Sequence, residues 1–422
     1  MTTSVPAHIG DAPGSRAQRR TLFVLVAAQA LSGAGLAAGL TVGALLAQDM
    51  LGSTGLAGLP SALGTAGSAL AAVTVGRISQ ARGRRTGLVA GYLAGAIGSV
   101  GIIAAAVADN PILLFAALFV YGAGTSTNLQ ARYAGADLAD SAHRARAVST
   151  VLVATTLGGV AGPNLTTPTS DLAHQLGIPH LAGPFLLAGA AYASAAVVLA
   201  IWLRPDPLLL ARTREADRVV TTPDDADIPA RPAVEKRGPG VWVGVVVMVL
   251  TQFVMVAVMT MTPVHMRDHG HSTTAAGLVI SIHIGAMYLP SPLTGWLVDR
   301  FGHFTIAAAS GPTLLGAGTV AACAPDDSVT LLTAALTLLG LGWNFGLVAG
   351  TAIITETVPL ATRARTQGIL DVTIAIAGAT GGMTSGLVVA AADYPTLAIG
   401  CGILALAIVP TIVTTARKSR PG

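Results

Sequence analysis

The feature that most constrains this chain is its long apolar runs without charge. Residues 22–48 hold no formal charge, and neither do 55–76. A hydrocarbon core about 30 Å thick takes about 20 apolar residues as a helix. Twelve segments meet that length: 22–48, 55–76, 86–108, 112–132, 147–167, 183–203, 241–263, 275–297, 304–324, 330–355, 367–391 and 396–416. Turn and breaker residues such as Asp109-Asn110-Pro111 separate them. The composition agrees, with 52% hydrophobic residues, 10% charged residues and a mean hydropathy of +0.68 over 422 residues. Soluble domains carry about 25% charged residues. The predicted class is therefore an all-α membrane protein with twelve transmembrane helices. Fifty glycines fit close helix contacts better than disorder. The first span is too long for a cleavable signal peptide.

Charge placement sets the orientation. With the N-terminus in the cytoplasm, every Lys and Arg except Arg267 falls in an inner loop, a tail or an inner helix end. The net charge of +4 then reflects topology and anionic lipid, and no nucleic-acid partner is expected. Residues 1–21 read as a cytoplasmic tail, 22–203 as one six-helix bundle, 204–240 as a cytoplasmic linker, 241–416 as a second bundle, and 417–422 as a short cytoplasmic tail. The expected location is the cytoplasmic (inner) membrane of a bacterium, as a multi-pass monomer with the lipid bilayer around it.

The two halves repeat. Gly76-Arg-Ile-Ser-Gln-Ala-Arg-Gly83 aligns with Gly295-Trp-Leu-Val-Asp-Arg-Phe-Gly302, 219 residues on. The same shift sets Asp137 on Glu356 and Arg144-Ala-Arg146 on Arg363-Ala-Arg365. Two six-helix halves suggest a rocking transporter with its site between them.

Gly-x-x-x-Asp-Arg-x-Gly resembles the loop motif of the major facilitator superfamily. Gly295, Asp299, Arg300 and Gly302 match it in full, while Gly76, Gly83, Arg84 and Arg85 match in the first half, where Gln80 and Ala81 replace the acid and the base. The resemblance covers essentially the whole chain. It implies two pseudo-symmetric halves, alternating access, and a conformational latch at inner helix ends. Gln80 is expected to weaken that latch in the first half. Asp137 and Glu356 are expected to latch with loop arginines. Gly158-x-x-x-Gly162-Pro163 looks like part of a motif associated with antiporters, but Thr166 and Thr167 stand where its paired glycines would be, and it reads first as a proline kink with tight packing.

Methionine and histidine concentrate in one region. Of nine methionines, Met248, Met255, Met259, Met261, Met266 and Met287 lie between residues 248 and 287, with His265, His269, His271 and His283. Met255 and Met259 share a helix face in span 7, as do His283 and Met287 in span 8. At about 1.5 Å per residue, Met255 and His283 lie at similar depths, about 12–13 Å from the outer boundary. Thioether and imidazole suit copper and are poor for magnesium or calcium. As packing, a methionine stripe needs no metal, whereas a histidine inside a span is a functional candidate. The paired Met-x-x-x-Met and His-x-x-x-Met resemble the signature of the CcoA-like bacterial copper importers. That resemblance implies copper as transported ion, carried by Met255, Met259, His283 and Met287. Met261, His265, Met266, His269 and His271 would form an intake funnel. Related transporters of this broad group move organic molecules such as riboflavin.

Other polar residues fall inside the spans. Asp371 is a coupling candidate, or a helix-terminal charge paired with Arg363 or Arg365. Gln29, Asn128 and Asn344 are expected to line the cavity, and Trp343 to stack on a flat solute or fill an interface. Cys323 and Cys401 lie apart and carry no expected redox role. There is no P-loop and no Ser/His/Asp set on a soluble scaffold, so neither an enzyme nor a resident cofactor is expected. The leading expectation is copper uptake. The alternative is a facilitator for an organic small molecule, by drug efflux or riboflavin-like vitamin uptake.

Overall fold

The computed structural model describes residues 13–51, 59–221 and 239–418. Residues 1–12, the start of the second expected span (within 52–58), part of the expected linker (222–238) and residues 419–422 lie outside them.

Among the described residues every regular element is a helix, joined by short turns. The first half contains α1 (Pro13–Leu51), α2 (Leu59–Arg82), α3 (Arg84–Val107), α4 (Pro111–Ala136), α5 (Arg144–Asn164), α6 (Thr166–Gln175) and α7 (Gly183–Trp202). Helix α8 (Pro207–Thr221) occupies the first part of the expected linker. The second half contains α9 (Pro239–Asp268), α10 (Thr273–Tyr288), α11 (Ser291–Phe301), α12 (His303–Cys323), α13 (Val329–Thr357), α14 (Arg363–Ala391), α15 (Tyr394–Ala405) and α16 (Ile408–Lys418). Among the described residues, nine stretches are long and apolar enough to cross a bilayer. Helices α1, α2 and α5 stand where the other three expected spans lie. Helix α1 begins at Pro13, inside the stretch read as a tail. The expected spans 8 and 12 are each built of two helices in succession, α10 with α11 and α15 with α16, while α6 lies almost wholly beyond the fifth span, which α5 fills.

Local chemistry explains the boundaries. Asn110 accepts from Leu113 N at 3.1 Å, with Pro111 at the first helical position of α4. Ser272 and Ser328 cap α10 and α13 in the same way. Asp393 caps α15, and the hydrogen bonds from Thr396 hold its carboxyl below its ordinary pKa. Gly83 and Gly302, equivalent under the 219-residue shift, have φ of +92° and +90°. Both sit at a sharp helix-to-helix turn that a side chain would strain. The duplication read from sequence is thus repeated in the backbone.

Two cores form, and the second reaches across to Ala136, Ala145, Val148 and Leu152 of the first half. One is centred on Tyr92, Tyr121, Phe185 and Tyr192. The other is centred on α9 and α13 and includes Met248, Met255, Trp343 and Leu347. Large apolar side chains also face outward, for example Phe23, Ile112 and Met383 at 75–82% exposure. That distribution suits lipid as the surrounding solvent, since tails are as apolar as leucine. Gly158 lets α5 lie directly on the α1 backbone, where a Cβ would stand 2.5 Å from Ala30 O and Ala34 N. Tight packing accounts for this glycine.

Candidate functional site

The two halves meet at the end of the bundle that the charge pattern assigns to the cytoplasm. Asp299, at the C-terminal end of α11, accepts from Ala145 N at 3.1 Å and Arg146 N at 3.2 Å. It therefore caps α5 of the other half, and its carboxylate also lies 3.5 Å from the Arg146 guanidinium. A helix N-terminus has unsatisfied N–H groups and a partial positive charge, so a carboxylate there satisfies both.

Gln80 does the equivalent work in the first half. Its Oε1 accepts from Ala364 N at 2.8 Å and Arg365 N at 3.4 Å, capping α14. Its Nε2 donates to Leu360 O at 3.2 Å and Ala361 O at 2.5 Å. The expectation that Gln80 weakens the first-half latch is therefore corrected. The amide lacks charge, but it adds two donated bonds that a carboxylate cannot make. The contacts of Gln80 and Asp299 map onto one another by the 219-residue shift. Gly76 and Gly295 admit the close approach. A Cβ on Gly76 would lie 2.8 Å from Ala364 O, and one on Gly295 2.8 Å from Ala145 O.

Charged pairs back these caps. Arg84 and Asp137 form a fully buried ion pair at 2.7 Å, and Arg84 also donates to Gln367 of α14 at 2.5 Å. The equivalent positions in the second half are His303 and Glu356, paired at 3.2 Å. Glu356 thus latches with a histidine instead of the expected loop arginine, because His303 stands where the first half has Arg84. Arg300 is exposed. Arg85 lends its backbone N–H to Asp206 at 2.7 Å. Asp206 also caps α8 through Leu208 N and Leu209 N, so one carboxylate ties two helix starts together. Sequence reasoning missed Asp206, His303 and Gln367. The shift that aligned Asp137 with Glu356 also aligns Arg84 with His303, so His303 was findable.

Deeper in the bundle, a second cluster joins the halves. Arg132 of α4 is fully buried and pairs with Asp371 of α14 at 2.9 Å. Tyr133 also donates to the same carboxylate oxygen, at 3.1 Å. Arg132 Nε donates to Thr351 Oγ1 at 3.2 Å, and the guanidinium stacks 4.2 Å from the Tyr133 ring centroid. The other carboxylate oxygen of Asp371 is buried with no hydrogen-bond partner among the described residues. The expected partners Arg363 and Arg365 are replaced by Arg132, since Arg363 turns to Val358 O. In the sequence Arg132 stands only as one of the basic residues at an inner helix end.

The remaining candidates divide between the halves. Gln29 is buried in a polar knot of the first half. It donates to Thr155 Oγ1 and Asn128 O at 3.0 Å and accepts from Tyr92 at 2.6 Å. Asn128 donates to Ser32 at 2.9 Å. In the second half, Asn344 bridges the break between α10 and α11 through Met287 O, Ser291 and Thr294. Trp343 is 3% exposed, with its indole N–H on Gln252 Oε1 at 2.8 Å and its ring edge-on to Tyr288. In this conformation its face is covered.

His283 is fully buried and donates through Nδ1 to Leu336 O of α13 at 2.7 Å. A carbonyl only accepts, so the proton sits on Nδ1, and Nε2 is buried with no partner among the described residues. Met255 and Met287 are buried, and Met259 and Met261 are half-buried against the second core. Helix α10 packs mainly along α13 and only lightly on α9. Gly340 of α13 fits against the backbone of His283 and Met287. Met266 is fully buried, away from any intake surface. His265, His269 and His271 gather at the far end of α9 with Asp326.

Comparison with known proteins places this geometry. The family model "Major Facilitator Superfamily" matches residues 22–345 and 291–422. A Bacillus subtilis (strain 168) relative, described as an uncharacterized MFS-type transporter, YdeG, is 55% identical over 98% of this chain and 96% of its own length. The riboflavin transporter RfnT of Brucella anthropi is 33% identical over 84% of this chain and 85% of its own. Among solved structures, the proton:xylose symporter XylE superposes with a TM-score of 0.75 at 17% identity, over 95% of this chain and 96% of that one. The human organic anion transporter MFSD10 gives 0.76 at 15%, over 94% and 99%.

Proposed function

The chain belongs to the major facilitator superfamily, a multi-pass membrane transporter and not an enzyme, and from that premise we propose that it moves a small organic solute by alternating access between its halves, 22–203 and 241–416. The observation that carries this reading is the clustering of inter-half latches at one end: Gln80 on α14, Asp299 on α5, and Arg132 on Asp371. The Gln80 and Asp299 latches are each a few hydrogen bonds across a glycine contact, and the deeper Arg132–Asp371 latch is a single ion pair, so the end can open without unfolding either bundle. Asp371 is the coupling candidate, because its buried, unpartnered oxygen offers a proton site beside the Arg132 pair. The cargo class is a flat heterocycle like riboflavin. It is supported by the relative named for that vitamin and by Trp343 and Tyr288, which opening would uncover. The protein works as a monomer in the cytoplasmic membrane with both termini inside.

A second reading, copper uptake of the CcoA-like kind, is favoured by one observation. His283 presents a buried, unpartnered Nε2 one turn from Met287. In that reading Met255, Met259, His283 and Met287 hold the ion in transit. Accumulation of riboflavin and of copper in cells with and without the protein separates the two. The organic reading expects riboflavin uptake that survives combined Met255→Leu, Met259→Leu, His283→Gln and Met287→Leu. Leu for Met usually costs under about 1.5 kcal/mol, so copper uptake abolished by that variant at matched protein level would instead establish the metal path. Parental cells that accumulate no riboflavin would remove the vitamin as cargo.

A further inference from the structure

At the end of the second half opposite the latches, His265, His269 and Asp326 bring one ligand atom each within 4.8 Å of one another. We propose that these three residues form a site for a divalent transition metal of the zinc class, separate from the translocation path.

The donor set and its support both point there. Two imidazole nitrogens and one carboxylate oxygen match zinc, and fall short of the six or more oxygens calcium takes. Ligand atoms on a tetrahedral zinc stand about 3.3 Å apart, given bonds of about 2.0–2.2 Å. Side-chain rotation closes the gap, since His269 and Asp326 are exposed. The outer contacts already orient the ligands. His269 Nδ1 donates to His265 O at 2.8 Å. That bond fixes the tautomer that leaves Nε2 free to ligate, 3.5 Å from Asp326 Oδ1. His265 stacks on Tyr394 at 4.5 Å and 17°, and the Tyr394 hydroxyl is paired with Thr262 at 2.9 Å. His271 Nε2 donates to Asp326 O at 2.8 Å, which holds the α12–α13 connection against α9. A bound ion therefore ties the end of α9 to that connection, and through Tyr394 to the start of α15. All three belong to one half, so the ion braces that half without locking it to the other.

The inference stands apart from the cargo, and the experiment reads binding, not uptake. Full-length protein, purified in detergent without a histidine tag, is titrated with zinc against a chromophoric chelator. One zinc per chain is expected. His269→Ala or Asp326→Ala should weaken binding about ten-fold or more, and zinc should raise the unfolding temperature of the parental chain but not of Asp326→Ala. His180→Ala should change nothing, since His180 faces a lone carboxylate, Asp171, at 3.8 Å. Asp326→His keeps three ligands and should bind at least as tightly as the parent, so lost folding cannot pass for lost ligation. Monodisperse parental protein that binds no zinc, or Asp326→Ala that binds as tightly as the parent, would overturn the site.

Discussion

Arg132 and Asp371 show how much one buried pair can hold. The guanidinium is fully buried between the halves, and its partners are the carboxylate, Tyr133 and Thr351. Removing one member of a buried ion pair leaves an uncompensated charge and costs about 3–5 kcal/mol, while replacing both by apolar groups is often neutral. Arg132→Met should therefore lower the unfolding temperature sharply in detergent, and Arg132→Met with Asp371→Leu should recover most of it. Equal losses in single and double variants would mean that the pair is not the stabilising unit. The sequence marked Asp371 as a charge inside a span and offered, beside a coupling role, only arginines of its own half as partners. Span boundaries blur at helix ends, so Arg132 looked like an interfacial charge. Its depth depends on α4 and α14 crossing, which no linear pattern displays. The buried His283 was legible for the same reason as Asp371. Its commitment to Leu336 O on α13 was not, because the spacing suggests only which face it occupies.

The α2–α14 and α11–α5 contacts are helix-capping joints, and here an amide and a carboxylate do one job. Losing a cap costs about 1 kcal/mol. Gln80→Leu should therefore favour the conformation open at the latch end, read as faster labelling of a cysteine substituted for Ser149, a buried residue of similar size at the α5–α11 joint. Gln80→Glu should open it as well. The added charge gains about 0.3–1 kcal/mol at the helix end, but it forfeits the donated bonds to Leu360 O and Ala361 O. Asp299 donates nothing, so Asp299→Asn should slow transport less than Asp299→Ala. A larger effect for Asn would show that the charge and its Arg146 pair matter more than the cap. Gly76→Val should separate α2 from α14, since a Cβ there meets Ala364 O at 2.8 Å and Gly368 Cα at 3.0 Å. The motif residues were all legible from sequence. Their partners were not, because each caps a helix of the opposite half.

For the molecule as a whole, the apolar runs and the 219-residue repeat were enough to read the class, the twelve spans and the two-bundle plan. Helix α8 was missed because its sequence, Pro207–Thr221, mixes charged residues with prolines nearby and shows no span-length apolar run. It packs beneath the latch: Arg212 donates to Gln80 O at 3.0 Å. By the charge asymmetry this helix is expected in the cytoplasm. Cysteines introduced at exposed positions 209 or 213 should resist a membrane-impermeant reagent in intact cells and react after the membrane is opened. Ready labelling from outside would invert the topology.

Arg132 and Thr351 occupy equivalent places in the two copies, and they touch. A position that meets its own duplicate lies on the relation between the copies, so it cannot hold the same ion twice. Two guanidinium groups some 3 Å apart would repel with no water to screen them. One copy therefore keeps the cation and the other the neutral hydroxyl that accepts from it, so the axis relating the halves carries two unequal sides.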